Sequence, residues 1–145
     1  LHGRFSRFIC QTIPGIKLYS IDSWGIGDKR QKMRDYHIRM YGVAKKNLSK
    51  CNAIMIREPS AKAVKTFEDN SLDFVYIDAN HNAPNVLEDV TIWTDKIRAG
   101  GIVSGHDYDR LSVQEAVNIY IEKNNYKLDI IGPDDLGRQS WWFIK

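Results

Sequence analysis

Cysteine is scarce in this chain and long apolar runs are missing. Its 145 residues include two cysteines, Cys10 and Cys51, with no Cys-x-x-Cys pair and no metal-ligand spacing. That excludes a disulfide framework and a zinc ribbon, and two isolated thiols suit a reducing cytoplasm. No apolar stretch could span a bilayer, and no signal-peptide pattern opens the sequence. A membrane role is therefore not expected. No G-x-G-x-x-G occurs, which argues against a dinucleotide oxidoreductase. Basic residues are not massed: the net charge is only +3. The densest group, Lys29 to Lys32 with Arg34, reads as a solvated helix face rather than a nucleic-acid patch. Repeats and low-complexity linkers are absent too.

What is present is an ordinary globular composition, 43% hydrophobic and 27% charged. That suffices for one domain with a real core. Phe5, Phe8, Ile9 and Ile13 predict a helix with one apolar face, ended by Pro14-Gly15. A strand over Ile16–Ile21 follows, then a polar helix over residues 29–48. Its narrow stripe is Met33, Tyr36, Met40, Ala44 and Leu48, with Gly42 inside it. Ile26 to Arg39 reads as a connector, with a lid over a site as the alternative. Ala53–Arg57 is a strand, and Ser60 is placed to cap a helix running through Phe67. Leu72–Ile77 is an apolar run suited to a buried strand. After it, Pro84 opens a helix whose stripe is Val86, Leu87, Val90, Trp93 and Ile97. Gly100-Gly101 ends that connection before a short strand, Ile102–Ser104. Ser112 and Glu115 form a capping box for a helix with Val113, Ala116, Val117, Tyr120 and Ile121 inward. Strands over Lys127–Ile131 and Trp141–Ile144 close the chain. This alternation predicts an α/β fold: a doubly wound, mostly parallel sheet, with the last two strands antiparallel because their link is too short for a crossover.

Three strands end in polar residues: Asp22, Asp78 with His81, and His106 with Asp107. Ligands of open α/β sheets sit beyond the carboxyl ends of strands. A carboxylate after an early strand can accept hydrogen bonds from ribose hydroxyls, and Asp22 is so placed. Its alternative role is to cap the amides of Ser23 and Trp24. His81 and His106 titrate near neutrality and are candidate bases. Asp78 and Asp107 are candidate ligands for Mg2+ or another divalent cation. The bland alternative is a set of polar turns that bond loop backbone. Trp24, Tyr41, Tyr108 and Trp141 either line a pocket or simply pack.

Ile77-Asp78-Ala79-Asn80-His81 and Gly100-Gly101-Ile102-Val103-Ser104-Gly105-His106-Asp107-Tyr108, with Leu18 to Trp24 before them, resemble class I S-adenosylmethionine-dependent methyltransferases. The similar branch has an acidic loop reading roughly Ile-Asp-Gly-Asp-His and a later Gly-Gly-x-x-x-x-His-Asp-Tyr. The resemblance covers nearly the whole chain. It implies a Rossmann-like domain over residues 1–145 and S-adenosylmethionine as cosubstrate. Gly3, Asp22, Ser23, Ser60 and Asp78 would bind it, and His81, His106 and Asp107 would be catalytic. It also implies a small-molecule or sugar hydroxyl as methyl acceptor; an oligomer is compatible with it. Two features depart from the pattern. Of the family's glycine-rich loop only Gly3-Arg4-Phe5-Ser6 is present, without the strand before it. The chain is therefore expected to be N-terminally truncated, with a gap in the sheet or Ile16–Ile21 re-paired with Leu72–Ile77. Pro59 stands where an acid often meets adenine, with Glu58 one position earlier. Runner-up readings are a metal-dependent phosphohydrolase using the His/Asp cluster and a non-catalytic nucleotide-binding domain.

Overall fold

A computed structural model describes all residues, Leu1–Lys145. The chain folds as two compact units, Leu1–Ala63 and Val64–Lys145.

The first unit runs α1 (Arg4–Thr12), β1 (Leu18–Asp22), α2 (Gln31–Leu48), β2 (Ala53–Arg57) and α3 (Ser60–Ala63). β1 and β2 pair in parallel, from Leu18 opposite Ala53 to Asp22 opposite Arg57. The crossover α2 buries Ala44 and Leu48. Gly3 precedes α1 in a left-handed conformation (φ 69°), and a β-carbon there would lie 3.3 Å from Leu48 Cγ. Glycine adopts this backbone at no steric cost. The expected apolar face of α1 is not its inward face. Phe5, Phe8 and Ile13 are exposed. The half-buried positions are Ser6, Ile9 and Cys10. Small residues win because they permit close approach: Ser6 Oγ meets Ser20 Oγ at 3.2 Å. Cys10 and Cys51 are free thiols, as expected. Burial, with the Cys51 thiol alongside, pushes the Cys10 thiol up to about 11.

Gly42 lies exposed in the interior of α2, and a β-carbon there would meet nothing within 4 Å. Alanine lowers the entropy of the unfolded chain and favours helix. Gly42→Ala should therefore raise stability by about 0.5–1 kcal/mol. Urea denaturation of the two proteins measures the difference; a less stable variant would contradict the reading.

The second unit opens with a 3-10 turn, Val64–Thr66, where the sequence pattern continued a helix to Phe67. It continues with β3 (Leu72–Ile77), α4 (Ala83–Lys96), β4 (Ile97–Gly105), α5 (Leu111–Asn124), β5 (Asp129–Ile131) and β6 (Ser140–Ile144). The strand order is β3-β4-β6-β5. β3 and β4 are parallel, while β6 runs antiparallel to β4 and β5. The antiparallel ending matches the short Ile131–Ser140 link. No ladder joins β1 to β3, so the re-pairing alternative is not taken.

Two expectations shift. Ile97 begins β4 rather than ending a helix, and Gly100-Gly101 lies inside that strand. A register shift accompanies this: Leu72 pairs with Ile97 but Phe74 with Ile102. A β-carbon on Gly101 would fall 2.5 Å from Ile97 Cγ2 and 2.7 Å from the Asp73 carbonyl. Glycine thus lets β4 continue where the spacing suggested a break. The core joins Val86 and Val90 of α4, Val113, Val117 and Tyr120 of α5, and Ile97, Val103, Trp141 and Phe143 of the sheet. Each fully buried apolar side chain contributes about 1.5–3 kcal/mol. No helix is long and apolar enough to cross a membrane.

Candidate functional site

In the second unit β3 and β4 are parallel neighbours, so their carboxyl ends lie side by side. The ladder continues one bond past the strands: the His106 amide donates to the Ile77 carbonyl at 3.0 Å. Asp78 and His106 therefore leave the sheet at the same level. Asp107 follows with φ 57°, a left-handed conformation that aspartate tolerates better than most residues. This turn takes its side chain into the protein, and only 5% of Asp107 is exposed.

The two oxygens of Asp107 serve different partners. Oδ1 lies 3.1 Å from Arg110 Nε and 3.6 Å from Arg138 Nε. Oδ2 lies 2.6 Å from His81 Nε2 and 3.5 Å from His106 Nδ1. Burial works to raise its pKa, but the Arg110 guanidinium and the two imidazoles outweigh it, leaving Asp107 below the usual carboxylate value. His106 is bracketed by carboxylates, because its Nε2 lies 3.6 Å from Asp134 Oδ2. Asp134 Oδ1 accepts from the amides of Leu136 and Arg138, tying the 134–138 loop into a turn. Arg138 also donates to Asp109 Oδ2 at 2.6 Å. The loop between the last two strands thus closes over His106 as a network of charged bonds.

His81 is fixed from behind. Ser112 Oγ donates to the His81 carbonyl at 2.7 Å. That replaces the expected capping box: α5 begins at Leu111, its N-cap is Arg110, and no side chain caps it. His81 Nε2 is shielded from solvent, yet its approach to Asp107 is not aligned as a hydrogen bond. Asp78 Oδ1 lies 3.9 Å from the same nitrogen. Donor atoms of Asp78, His81 and Asp107 all fall within 4.8 Å of one another. Two carboxylate oxygens and a buried imidazole nitrogen without an aligned partner form a donor set that fits a divalent cation.

The first unit holds the remaining predicted residues. Asp22 ends β1. Its Oδ1 accepts from the Trp24 amide at 2.7 Å, the capping alternative, while Oδ2 lies 3.3 Å from the Leu1 nitrogen. Trp24 is 1% exposed, packs 4.9 Å from the Tyr41 ring, and donates its indole N–H to the Leu1 carbonyl. Arg57 donates to the Trp24 carbonyl at 2.9 Å. Trp24 and Tyr41 therefore pack. Trp141 is a core residue as well, and the Tyr108 hydroxyl donates to Asn118 on α5. Ser23 follows Asp22 in the turn, and Ser60 starts α3. Cavities of about 460 and 420 Å³ lie along α1 and the end of α2, and neither is lined by Asp22, Ser23 or Ser60. Arg110, Ser112, Asp134 and Arg138 were not anticipated. The spacing Asp107-x-x-Arg110 was a signal that could have been read; the contact of Asp134 with His106 joins residues far apart in the chain.

The sequence profile of a methyltransferase domain family matches residues 1–108. The chain belongs to this methyltransferase domain family. No curated protein matches the methyltransferase significantly. Solved structures share its fold at low identity. An O-methyltransferase from Bacillus cereus in complex with SAH superposes with TM-score 0.64 and 11% identity, over 99% of this chain and 80% of that one. The O-methyltransferase NovP gives 0.65 and 16%, over 97% and 65%. TomG of Streptomyces achromogenes, an O-methyltransferase involved in tomaymycin synthesis and solved with SAM, gives 0.60 and 11%, over 98% and 78%. They place the methyltransferase in the Rossmann-like α/β class. The phosphohydrolase, oxidoreductase and non-catalytic readings gain no support from these matches.

Proposed function

We propose that this methyltransferase uses S-adenosylmethionine to methylate a hydroxyl of a small molecule, a phenol or a sugar. The observation that carries the reading is the group His81, His106 and Asp107 at the adjoining ends of β3 and β4. Methyl transfer is an in-line displacement: the acceptor oxygen bonds to the methyl carbon, the S–CH3 bond breaks, and its electron pair returns to sulfur. The leaving thioether is neutral and needs no proton. The one proton to be moved is that of the acceptor hydroxyl, and His106 takes it on Nε2, where the acceptor replaces the half-exposed Asp134 carboxylate as that nitrogen's neighbour. Asp107, on the Nδ1 side, holds that imidazole in place and stabilises it once protonated.

Asp78 and Asp107 are the acids to hold a divalent cation, which would supply Lewis acidity toward the acceptor oxygen. In the first unit Asp22, Ser23, Ser60 and the backbone at Gly3 are assigned to the cosubstrate, with Asp22 on the ribose. The printed names of the Bacillus cereus, NovP and TomG proteins support oxygen as the acceptor atom.

Calorimetric titration with S-adenosylmethionine tests the reading. The parent chain should bind, and Asp22→Ala should bind more weakly by about 1–3 kcal/mol, the loss of hydrogen bonds to a charged acceptor. Equal affinity would remove Asp22 from the ribose, and a parent chain that does not bind would defeat the whole reading.

A further inference from the structure

We infer that Cys10 and Cys51 are a redox-responsive pair: an acidic small-molecule disulfide of the oxidised-glutathione type, seated in the cavity beside them, closes them to an intramolecular disulfide. The pair includes none of the residues assigned above to methyl transfer or to the cosubstrate.

Three features carry it. The first is proximity. The chain has two cysteines, far apart in sequence, and both are free thiols. The fold sets Cys51, just before β2, within hydrogen-bonding reach of Cys10, near the end of α1. The second is access. Both residues are half-buried, and both line one open cavity of about 420 Å³, a volume ordinary for a small-ligand site. The third is charge. Arg7, Lys46 and Lys50 line the same cavity, and no carboxylate does. The carboxyl ends of α1 and α2 border it too, but partial charges of about −0.5 each do not cancel three full cations. Such a cavity draws anionic reagents to the two thiols.

The chemistry is thiol–disulfide exchange. Burial and the neighbouring thiol hold the proton on Cys10, so the first attack falls to Cys51. The Cys51 thiol gives up its proton, and its sulfur attacks one sulfur of the glutathione disulfide. The S–S bond breaks, and one glutathione leaves as a thiolate that takes up the proton. Cys10 then loses its proton and attacks Cys51 Sγ, expelling the second glutathione in the same way. Two protein thiols are oxidised by two electrons, and one disulfide is reduced to two thiols. The closed bridge ties the end of α1 to the start of β2 and encloses all of α2. A loop that long strongly restricts the unfolded chain.

The test uses the whole chain, reduced, freed of reductant and treated with oxidised glutathione. Mass spectrometry should show the loss of two hydrogens and a peptide joining Cys10 to Cys51. The oxidised protein should melt about five degrees or more above the reduced one, and dithiothreitol should abolish the difference. Cys10→Ser should stop at a glutathione adduct on Cys51, and Cys51→Ser should react more slowly. Lys46→Glu combined with Lys50→Glu should slow the reaction with oxidised glutathione about tenfold at low ionic strength, the low end of electrostatic steering. The same variant should react with the neutral hydroxyethyl disulfide at the parent rate, with circular dichroism reporting a retained fold. Thiols that stay free, disulfide-linked dimers, or a lasting glutathione adduct in the parent chain would overturn the pair. Equal slowing toward both reagents, or none toward either, would overturn the role of the charged cavity.

Discussion

Replacing His106 by alanine should lower the rate of methyl transfer to a hydroxyl acceptor by about 10²–10⁴-fold, the usual worth of a positioned general base. S-adenosylmethionine affinity should stay at the parent value, because removing a proton acceptor affects the chemical step and not cosubstrate binding. The structural basis is local. Asp107 lies 3.5 Å from Nδ1 of His106 and orients the ring, which leaves Nε2, 3.6 Å from the half-exposed Asp134, as the nitrogen the acceptor can reach. Formation of S-adenosylhomocysteine, followed across a panel of phenols and sugars, supplies both the acceptor and the rate. His106→Gln guards against a packing artefact, since it fills similar space without a base. A variant that retains parent turnover would show that His106 is structural. A loss confined to cosubstrate affinity would move it out of the proton-transfer role.

Gly105→Ala should be among the most damaging single methyl additions in the chain, at about 3 kcal/mol or more. A β-carbon there would lie 2.4 Å from Trp141 Cζ2, 2.6 Å from Cε2 and 2.7 Å from the Ile77 carbonyl. None of these neighbours can step aside cheaply. Trp141 is 1% exposed and stacks on Phe143, and the Ile77 carbonyl accepts the His106 amide. Relief must therefore come from backbone movement at the residue before His106. For a chain of this length the melting temperature should fall by about ten degrees. Gly42→Ala, the same chemical change in open space, is the internal control. If both variants melted within a degree or two of the parent, the packing at Gly105 would be looser than described.

Much of this arrangement was legible before any coordinates. Leu72–Ile77 announces a strand because an apolar run stops abruptly at Asp78, and the same contrast marks Gly105 to Asp107. Parallel pairing of these two strands follows from the intervening helix, and it brings His81 and Asp107 together. What the pattern hid depended on packing between elements or on contacts far apart in the chain. Ser112 looked like half of a capping box, a local pattern, but its hydroxyl satisfies a carbonyl 31 positions earlier. Ile97 kept the helical spacing of α4, yet it pairs with Leu72 as the first residue of β4. Phe5 and Phe8 formed the obvious apolar face of α1, whereas close approach favoured Ser6 and Cys10. Asp134 lay in what read as a plain loop between the last two strands, and only the folded chain sets it against His106.

The backbone at Asp107 carries a consequence for how this position tolerates mutation. At φ 57° most side chains are strained, and asparagine and glycine are the replacements that the main chain accepts with least disturbance. Asparagine keeps the size and shape of the side chain and discards its charge. The codons for aspartate and asparagine differ by a single base, so the change easiest on the fold is also readily reached by chance. In a random library sorted for folded protein, Asp107→Asn clones should therefore accumulate as well-folded, inactive molecules. Given the role proposed for Asp107, position 107 should separate selection for folding from selection for turnover.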